Sequence, residues 1–286
     1  MLQAGESFQA AVSAAKTLAA DEGLTYVHGF NDPAIIAGQG TVALELLEEF
    51  PDLAAVIVPV GGAGLLAGMA IALRALRPDI EIIAVESSRM PSFGAAVKAG
   101  HPVEVAPHAT LADGLAVGKV GDFSFELSKD KIDRLIDVSE DEIALAILRL
   151  VELEKCVVEG SAAATLAAAM RPELAHLRDK RTALILCGGN IDLTMLGRVL
   201  DRGLVLDGRL CRFVAVMPDR PGAFARLTQT IAAAGANVRE VSHERAFSDD
   251  DLATVHIACT VETTDHQHAK RVKAALAEAR IHCLAR

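Results

Sequence analysis

An α/β fold is predicted for this chain, with a mostly parallel sheet in the larger N-terminal part and a separate βαββαβ unit at the C-terminal end. Three observations carry that expectation. Residues 56–86, VIVPVGGAGLLAGMAIALRALRPDIEIIAVE, read as strand, glycine turn, helix, strand. Short apolar runs at 134–138 and 182–187 recur between helical stretches, as parallel strands joined by helical crossovers do. Beyond residue 210 the order becomes strand, helix, two strands, helix, strand, a ferredoxin-like pattern. The expected domains are therefore 1–205 and 210–286.

Composition narrows the function classes. The chain has 286 residues, of which 51% are hydrophobic but only 3% aromatic, so the core is expected to be aliphatic and Ala-rich. A net charge of -10 argues against a nucleic-acid groove or an anionic membrane surface and points to small molecules or other chains. Cys156, Cys187, Cys211, Cys259 and Cys283 are scattered with no C-x-x-C, which suits reduced thiols. With no signal-peptide pattern and no spanning apolar segment, a soluble cytoplasmic protein is expected.

The elements follow in order. Phe8, Val12, Ala15 and Ala19 recur at helical spacing before Gly23, and 24–28 reads as a short strand. Asn31-Asp32-Pro33 reads as a turn that leads through Ile35-Ile36-Ala37-Gly38-Gln39-Gly40-Thr41 into a helix ending near Pro51. Residues 87–133 show little periodicity and contain Pro91, Pro102 and Pro107, as expected of a site rim. Ser139 and Glu142 form the pattern of a capping box opening a helix. Residues 157–161 lead into an Ala-rich helix ending by Pro172, and the strand at 182–187 runs into Gly188-Gly189-Asn190. In the second unit, 211–217 is a strand and Asp219-Arg220-Pro221-Gly222 a turn. Phe224, Leu227 and Ile231 mark a helix face, 237–243 and 253–261 a hairpin, and Ala269, Val272 and Leu276 a last helix before 281–284. His266 and His268, two apart near a helix start, read as solvated side chains rather than metal ligands.

The glycine turn carries chemistry of its own. A helix that starts directly after Gly61-Gly62-Ala63-Gly64 presents free N–H groups and a positive dipole end to an anion. Taken alone, Gly62-x-Gly64-x-x-Ala67 with Glu86 closing the next strand also satisfies a dinucleotide fingerprint. Tight helix–strand packing without a ligand explains the same glycines.

Several segments together resemble one family. The chain is similar to the C-terminal two-thirds of a threonine dehydratase (threonine ammonia-lyase) followed by one ACT regulatory domain. The resemblance rests on Ile36-Ala37-Gly38-Gln39-Gly40-Thr41, Gly61-Gly62-Ala63-Gly64-Leu65, Thr110-Leu111-Ala112-Asp113-Gly114, Val158-Glu159-Gly160 and Cys187-Gly188-Gly189-Asn190, in that order. It implies an incomplete fold-type II (tryptophan synthase β-like) enzyme that uses pyridoxal 5'-phosphate. By resemblance Gly61, Gly62, Ala63, Gly64 and Leu65 hold the cofactor phosphate, and Cys187 hydrogen-bonds the pyridine nitrogen as a neutral partner. Asp113, Gly114 and Glu159 correspond to active-site positions. Glu86 stands where related serine racemases place a metal ligand, but Met90 and Ser92 follow without a further acidic ligand, so no metal is assigned.

The resemblance further implies deamination of threonine, and of serine, to 2-oxobutanoate or pyruvate with ammonia, in isoleucine biosynthesis or threonine catabolism. The family's Schiff-base lysine lies in an S-F-K-x-R-G motif and its substrate-carboxylate loop reads S-x-G-N-H. Neither occurs in this sequence, and none of the nine lysines has that context. The expectation is a fragment or truncated gene model, inactive alone for want of a catalytic lysine, and a homo-oligomer in the intact family. Asp219, Arg220, Pro221 and Gly222 resemble the ACT turn that meets an amino-acid effector, isoleucine or valine in this family, with allosteric consequences. An alternative is a non-catalytic chain that senses an amino acid or pairs with a full-length subunit through its ACT domain.

Overall fold

A computed structural model describes residues 2–4, 8–244 and 253–284, and it divides into two compact units, Met1–Ile191 and Asp192–Arg286. In the first unit α1 (Phe8–Glu22) and α2 (Pro33–Glu49) precede β1 (Ala55–Pro59), α3 (Gly64–Leu76) and β2 (Glu81–Ser87). Then come α4 (Ser92–Ala99), α5 (Asp122–Ser128), β3 (Arg134–Val138), α6 (Glu140–Arg149), α7 (Gly160–Ala169) and β4 (Thr182–Leu184). The strands form one parallel sheet in the order β3-β2-β1-β4, with Ile57 opposite both Ile83 and Leu184. Every residue of β1 is buried, which is why the sequence there is continuously apolar rather than alternating. β1 leads outward on one side through β2 to β3, while β4 lies on its other side. The crevice at the C-terminal ends of β1 and β4 is thus a topological switch point, the place where open α/β sheets bind ligands.

Helix α2 starts earlier than the sequence suggested. Asp32 accepts from the N–H groups of Ala34 (2.8 Å) and Ile35 (3.3 Å), and Pro33 occupies the first turn, so Ile35 to Thr41 lie inside the helix. Of its two glycines Gly40 serves packing, since a Cβ there would meet Gly68 O at 3.0 Å, while Gly38 has open space. A Cβ on Gly68 of α3 would meet Ile36 O at 2.2 Å, so α2 and α3 touch backbone to backbone. The expected strand at 24–28 is irregular instead, and the aperiodic region contains α4 and α5. The expected strand 182–187 stops at Leu184, although Ile185 N still donates to Ile57 O at 3.1 Å. At the start of α6 the capping box is formed, with Ser139 N donating to Glu142 Oε2 at 2.8 Å.

The second unit contains α8 (Leu193–Leu206), β5 (Leu210–Pro218), α9 (Ala223–Ala233), β6 (Asn237–Glu244), β7 (Thr254–Glu262), α10 (His266–Glu278) and β8 (His282–Leu284). Its antiparallel sheet runs β6-β7-β5-β8, and Cys211, Phe213, Ala215, Ile257 and Cys259 pack with Leu227, Ile231, Val272 and Leu276 of the two helices. The β5-to-β8 order is the βαββαβ pattern. Helix α8 groups with this unit, whereas the sequence-based boundary stood at 205–210. His268 departs from the sequence reading: it is buried, its Nδ1 accepts from Thr264 N at 3.1 Å, and its Nε2 lies 2.9 Å from Ala234 O. The burial follows from its position on the inner face of α10, one turn before Val272.

Candidate functional site

The glycine turn follows β1 at the switch point. Ala63 is the N-cap of α3 in the left-handed region (φ 70°), and no side chain caps the helix, so its first N–H groups face the crevice. The glycines are first of all a packing device. A Cβ on Gly61 would meet Gly114 O at 2.7 Å, and one on Gly62 would meet the Phe30 ring at 2.3 Å. The turn is therefore pressed between the Asp113-Gly114 loop and Phe30.

That loop is held from outside the cavity. Glu140, at the start of α6, accepts from Thr110 Oγ1 and from Leu111 N, both at 2.6 Å, and Asp113 begins a short 3-10 turn. Helix α7 closes the opposite side, with Glu159 as its N-cap and no side chain capping its first turn. Glu159 N donates to Gly188 O at 3.1 Å, tying the start of α7 to the stretch after β4. A Cβ on Gly188 would sit 2.1 Å from Glu159 Oε1, so the glycine makes room for the carboxylate.

The result is a cavity of about 410 Å³ lined by Gly61, Gly62, Ala63, Gly64, Leu65, Asp113, Gly114, Glu159 and Cys187. Every residue singled out in the first unit for cofactor or active-site work thus borders one space. Sequence reading missed Phe30, Gln39 and Ser161, which border it too. Nothing local marks Phe30 or Ser161, while Gln39 sits inside a segment the resemblance named without singling it out. None of the described lining residues is a lysine.

The donor set suits a phosphorylated pyridine. Cys187 lies at the surface of the cavity, yet burial around its thiol, helped by the Glu159 carboxylate, raises its pKa above the ordinary value. The thiol is therefore neutral near pH 7, as a partner for a ring nitrogen must be here. The Ser161 hydroxyl is buried without a hydrogen-bond partner among the described residues, a cost a structure carries where a ligand or water completes the site. An uncapped helix start, a neutral thiol and an unsatisfied hydroxyl around a ligand-sized cavity fit pyridoxal phosphate.

Glu86 is elsewhere. It is 2% exposed and accepts from Phe93 N (2.9 Å) and Gly94 N (3.0 Å), so it serves the start of α4 and does not line the cavity. Burial, with Asp137 adding repulsion, raises its pKa from 4.5 to about 7. Among the described residues no group of three His, Cys, Asp or Glu is placed to hold a metal ion. No helix of the described residues is long and apolar enough to cross a membrane.

In the second unit, Asp219, Arg220, Pro221 and Gly222 are all exposed. Gly222 is the left-handed N-cap of α9 (φ 88°), again without a capping side chain, and Asp219 N donates to Ala253 O at 2.9 Å. Within the turn Arg220 N also donates, to Pro218 O at 3.0 Å, and Pro221 has no N–H.

Comparisons with known proteins identify the family of each unit. The pyridoxal-phosphate dependent enzyme family matches residues 1–188, and the ACT domain family matches residues 213–280. An L-threonine ammonia-lyase of Thermotoga maritima is 40% identical over 95% of this chain and 67% of its own length. One from Geobacter sulfurreducens is 40% identical over 94% of this chain and 66% of its own. Among solved structures, the processed form of threonine deaminase isoform 2 from Solanum lycopersicum aligns with a TM-score of 0.67 at 31% identity, covering 71% of this chain and 56% of that one. Serine racemase from Dictyostelium discoideum aligns with a TM-score of 0.60 at 36% identity, covering 66% of this chain and 61% of that one. The chain thus spans 56% to 67% of the length of these relatives. By its sheet, its cavity and these likenesses, the chain belongs to the threonine ammonia-lyase family of fold-type II pyridoxal-phosphate enzymes and carries a C-terminal ACT domain.

Proposed function

We propose that this chain carries the phosphate- and ring-binding part of a pyridoxal-phosphate-dependent threonine ammonia-lyase, which deaminates threonine and serine to 2-oxobutanoate and pyruvate. The observation that supports it is the convergence of Gly61-Gly62-Ala63-Gly64-Leu65, Asp113-Gly114, Glu159 and Cys187 on one cavity at the switch point. When bound, the cofactor supplies an electron sink for loss of the α-proton and the β-hydroxyl. The N–H groups at the start of α3 hold the phosphate, with the side-chain-free turn allowing close approach. Cys187, kept neutral by its surroundings, hydrogen-bonds the ring nitrogen without protonating it. Glu159, the Asp113-Gly114 loop and Ser161 would border the ring, the carboxylate and hydroxyl offering it polar contacts.

The proposal includes that this chain alone binds the cofactor but does not turn over threonine, because no lysine stands in the S-F-K-x-R-G context. Asp219, Arg220, Pro221 and Gly222 would take an isoleucine or valine effector, and the enzyme would act in isoleucine biosynthesis or threonine catabolism. The second reading is a non-catalytic chain that senses an amino acid, or pairs with a full-length subunit, through its ACT domain. The lack of a lysine among the described residues lining the cavity favours it.

One experiment separates the two. The purified chain and a version extended in frame through upstream DNA are each given pyridoxal phosphate, borohydride and threonine. Activity only in the extended chain supports the first reading. Activity in the unextended chain refutes the claim about the lysine, and isoleucine binding with no lyase activity in either supports the second.

A further inference from the structure

We propose that the C-terminal unit carries a second small-molecule site, a cationic cavity for a multiply charged anion, at the end of β5 opposite the effector turn. The cavity has a volume of about 550 Å³ and is lined by Arg212 of β5, Lys273 of α10, Arg280 and His282, around an apolar floor of Phe213, Ala277 and Ile281. That volume falls within the range of small-ligand sites. No acidic side chain stands among the described lining residues. Two other arginines of the unit are ion-paired: Arg239 meets Asp201 at 2.8 Å and Arg209 meets Asp207 at 3.9 Å. Arg212, Lys273 and Arg280 form no ion pair with any described residue, in a chain whose net charge is -10. Three permanent cations left unneutralised around one hollow repel one another, and an anion removes that cost.

Backbone geometry supplies a second, independent observation. Helices α9 and α10 end in the same motif. After α9, Gly235 N donates to Ala232 O and Ala236 N to Ile231 O; after α10, Arg280 N donates to Ala277 O and Ile281 N to Leu276 O. The motif needs a left-handed residue, and α9 uses glycine there (Gly235, φ 82°). Its twin uses Arg280 at φ 56°, a strained conformation for a residue with a side chain. Strained left-handed residues concentrate at functional positions, so strain kept where the twin helix uses glycine points to a role for the Arg280 side chain. The strained residue is also one of the cations of the cavity.

The chemistry points to clustered anionic oxygens. Two guanidinium forks suit bidentate recognition of phosphate or carboxylate groups, and Lys273 adds a point charge. A single carboxylate would leave most of the positive charge unmet, so a phosphorylated compound or a di- or tricarboxylate is the expected class. The site is distinct from the turn at Asp219: Arg212 is the third residue of β5 and Asp219 follows its last, a separation of roughly 20 Å along the strand.

The test uses the full chain at low salt, with inorganic pyrophosphate and citrate in separate titrations followed by calorimetry and melting temperature. Binding of either is expected, with a rise in Tm of about 3–6 °C at saturating millimolar anion that shrinks as salt is added. The two arms distinguish phosphate from carboxylate chemistry. Arg280→Gly gives the sharpest outcome. It should raise the Tm of the ligand-free chain by about 2–5 °C through relief of the left-handed strain, yet weaken anion binding by about tenfold or more. A merely structural Arg280 would give the first effect without the second. Lys273→Gln should weaken binding on its own, while Lys270→Gln, on α10 but not lining the cavity, should leave it within about twofold. Failure of both anions to bind, unchanged affinity in Arg280→Gly and Lys273→Gln, or equal losses in Lys270→Gln would each overturn the site.

Discussion

Three helix starts in this molecule share one local chemistry and meet different ends. Helix α3 opens on Ala63 and helix α9 on Gly222, both in left-handed backbone and both without a capping side chain. Helix α4 also lacks a cap on its own N-cap residue, but Glu86, buried at the end of β2, supplies the carboxylate from another element. The start of α3 is enclosed by Phe30, the Asp113-Gly114 loop, Glu159 and Cys187, while the turn before α9 stands in solvent. An uncapped helix start is thus only an offer of positive charge. Whether it is enclosed in a cavity, left exposed or satisfied internally depends on what the rest of the fold brings to it.

The comparison can be broken most forcefully at the enclosed site. Gly64→Val should be the most damaging change, because even a Cβ there meets Phe30 O at 2.6 Å and the backbone cannot yield cheaply. A loss of about 3 kcal/mol or more is expected, with loss of pyridoxal phosphate retention, read by chemical denaturation and cofactor absorbance. Soluble, cofactor-retaining Gly64→Val protein of unchanged stability would show that the turn is not pressed as described.

The internally capped helix gives the next largest effect, and it depends on pH. In the folded chain Glu86 binds its proton more tightly than the ordinary carboxylate, at about 7 against 4.5. A raised carboxylate contributes stability that is full below 4.5 and is lost as pH climbs through about 7, an effect of about 3 kcal/mol. Urea denaturation at pH 5, 6, 7 and 8 should show this decline in the wild type and a flatter profile in Glu86→Gln. Parallel profiles would assign the slope to other groups.

Ser161→Ala should separate apo stability from binding. Removing a buried hydroxyl without a partner is expected to stabilise the ligand-free chain by about 1 kcal/mol, while weakening pyridoxal phosphate binding severalfold. A stabilised variant with unaltered cofactor affinity would leave the hydroxyl outside the site.

The smallest effects contrast the two left-handed N-caps. Ala63→Gly should stabilise the first unit by about 1 kcal/mol and Gly222→Ala destabilise the second by a similar amount, since only glycine adopts this backbone without strain. Differential scanning calorimetry reads both. Opposite signs would mean that the caps are held by their surroundings rather than by their own preferences.

Much of this was legible in residue order. Strands at β1, β2 and β3, the capping box at Ser139 and the βαββαβ order all stand where local periodicity and turn chemistry put them. The start of α2 was legible as well, in Asp32-Pro33, but Gly38 and Gly40 argued against a helix. Gly40 belongs to helix packing against Gly68, a contact that no local rule contains, whereas Gly38 faces open space. For α4, α5 and α8 the sequence analysis assigned no helix: α4 and α5 are too short to show a clear period, whereas α8 is amphipathic over 14 residues and was overlooked. His268 was placed in solvent because its polarity outweighed its position one turn before buried Val272.

By itself the sequence determined most of the elements and the identity of the motifs, because propensity, alternation and turn residues act over a few neighbours. Only the tertiary structure decided that Gly61, Asp113, Glu159 and Cys187 face one another, that Phe30 and Ser161 join them, and that Arg212, Lys273 and Arg280 gather around a hollow in the second unit. These are meetings of residues far apart in the chain, and the closure of a sheet sets them rather than any local preference.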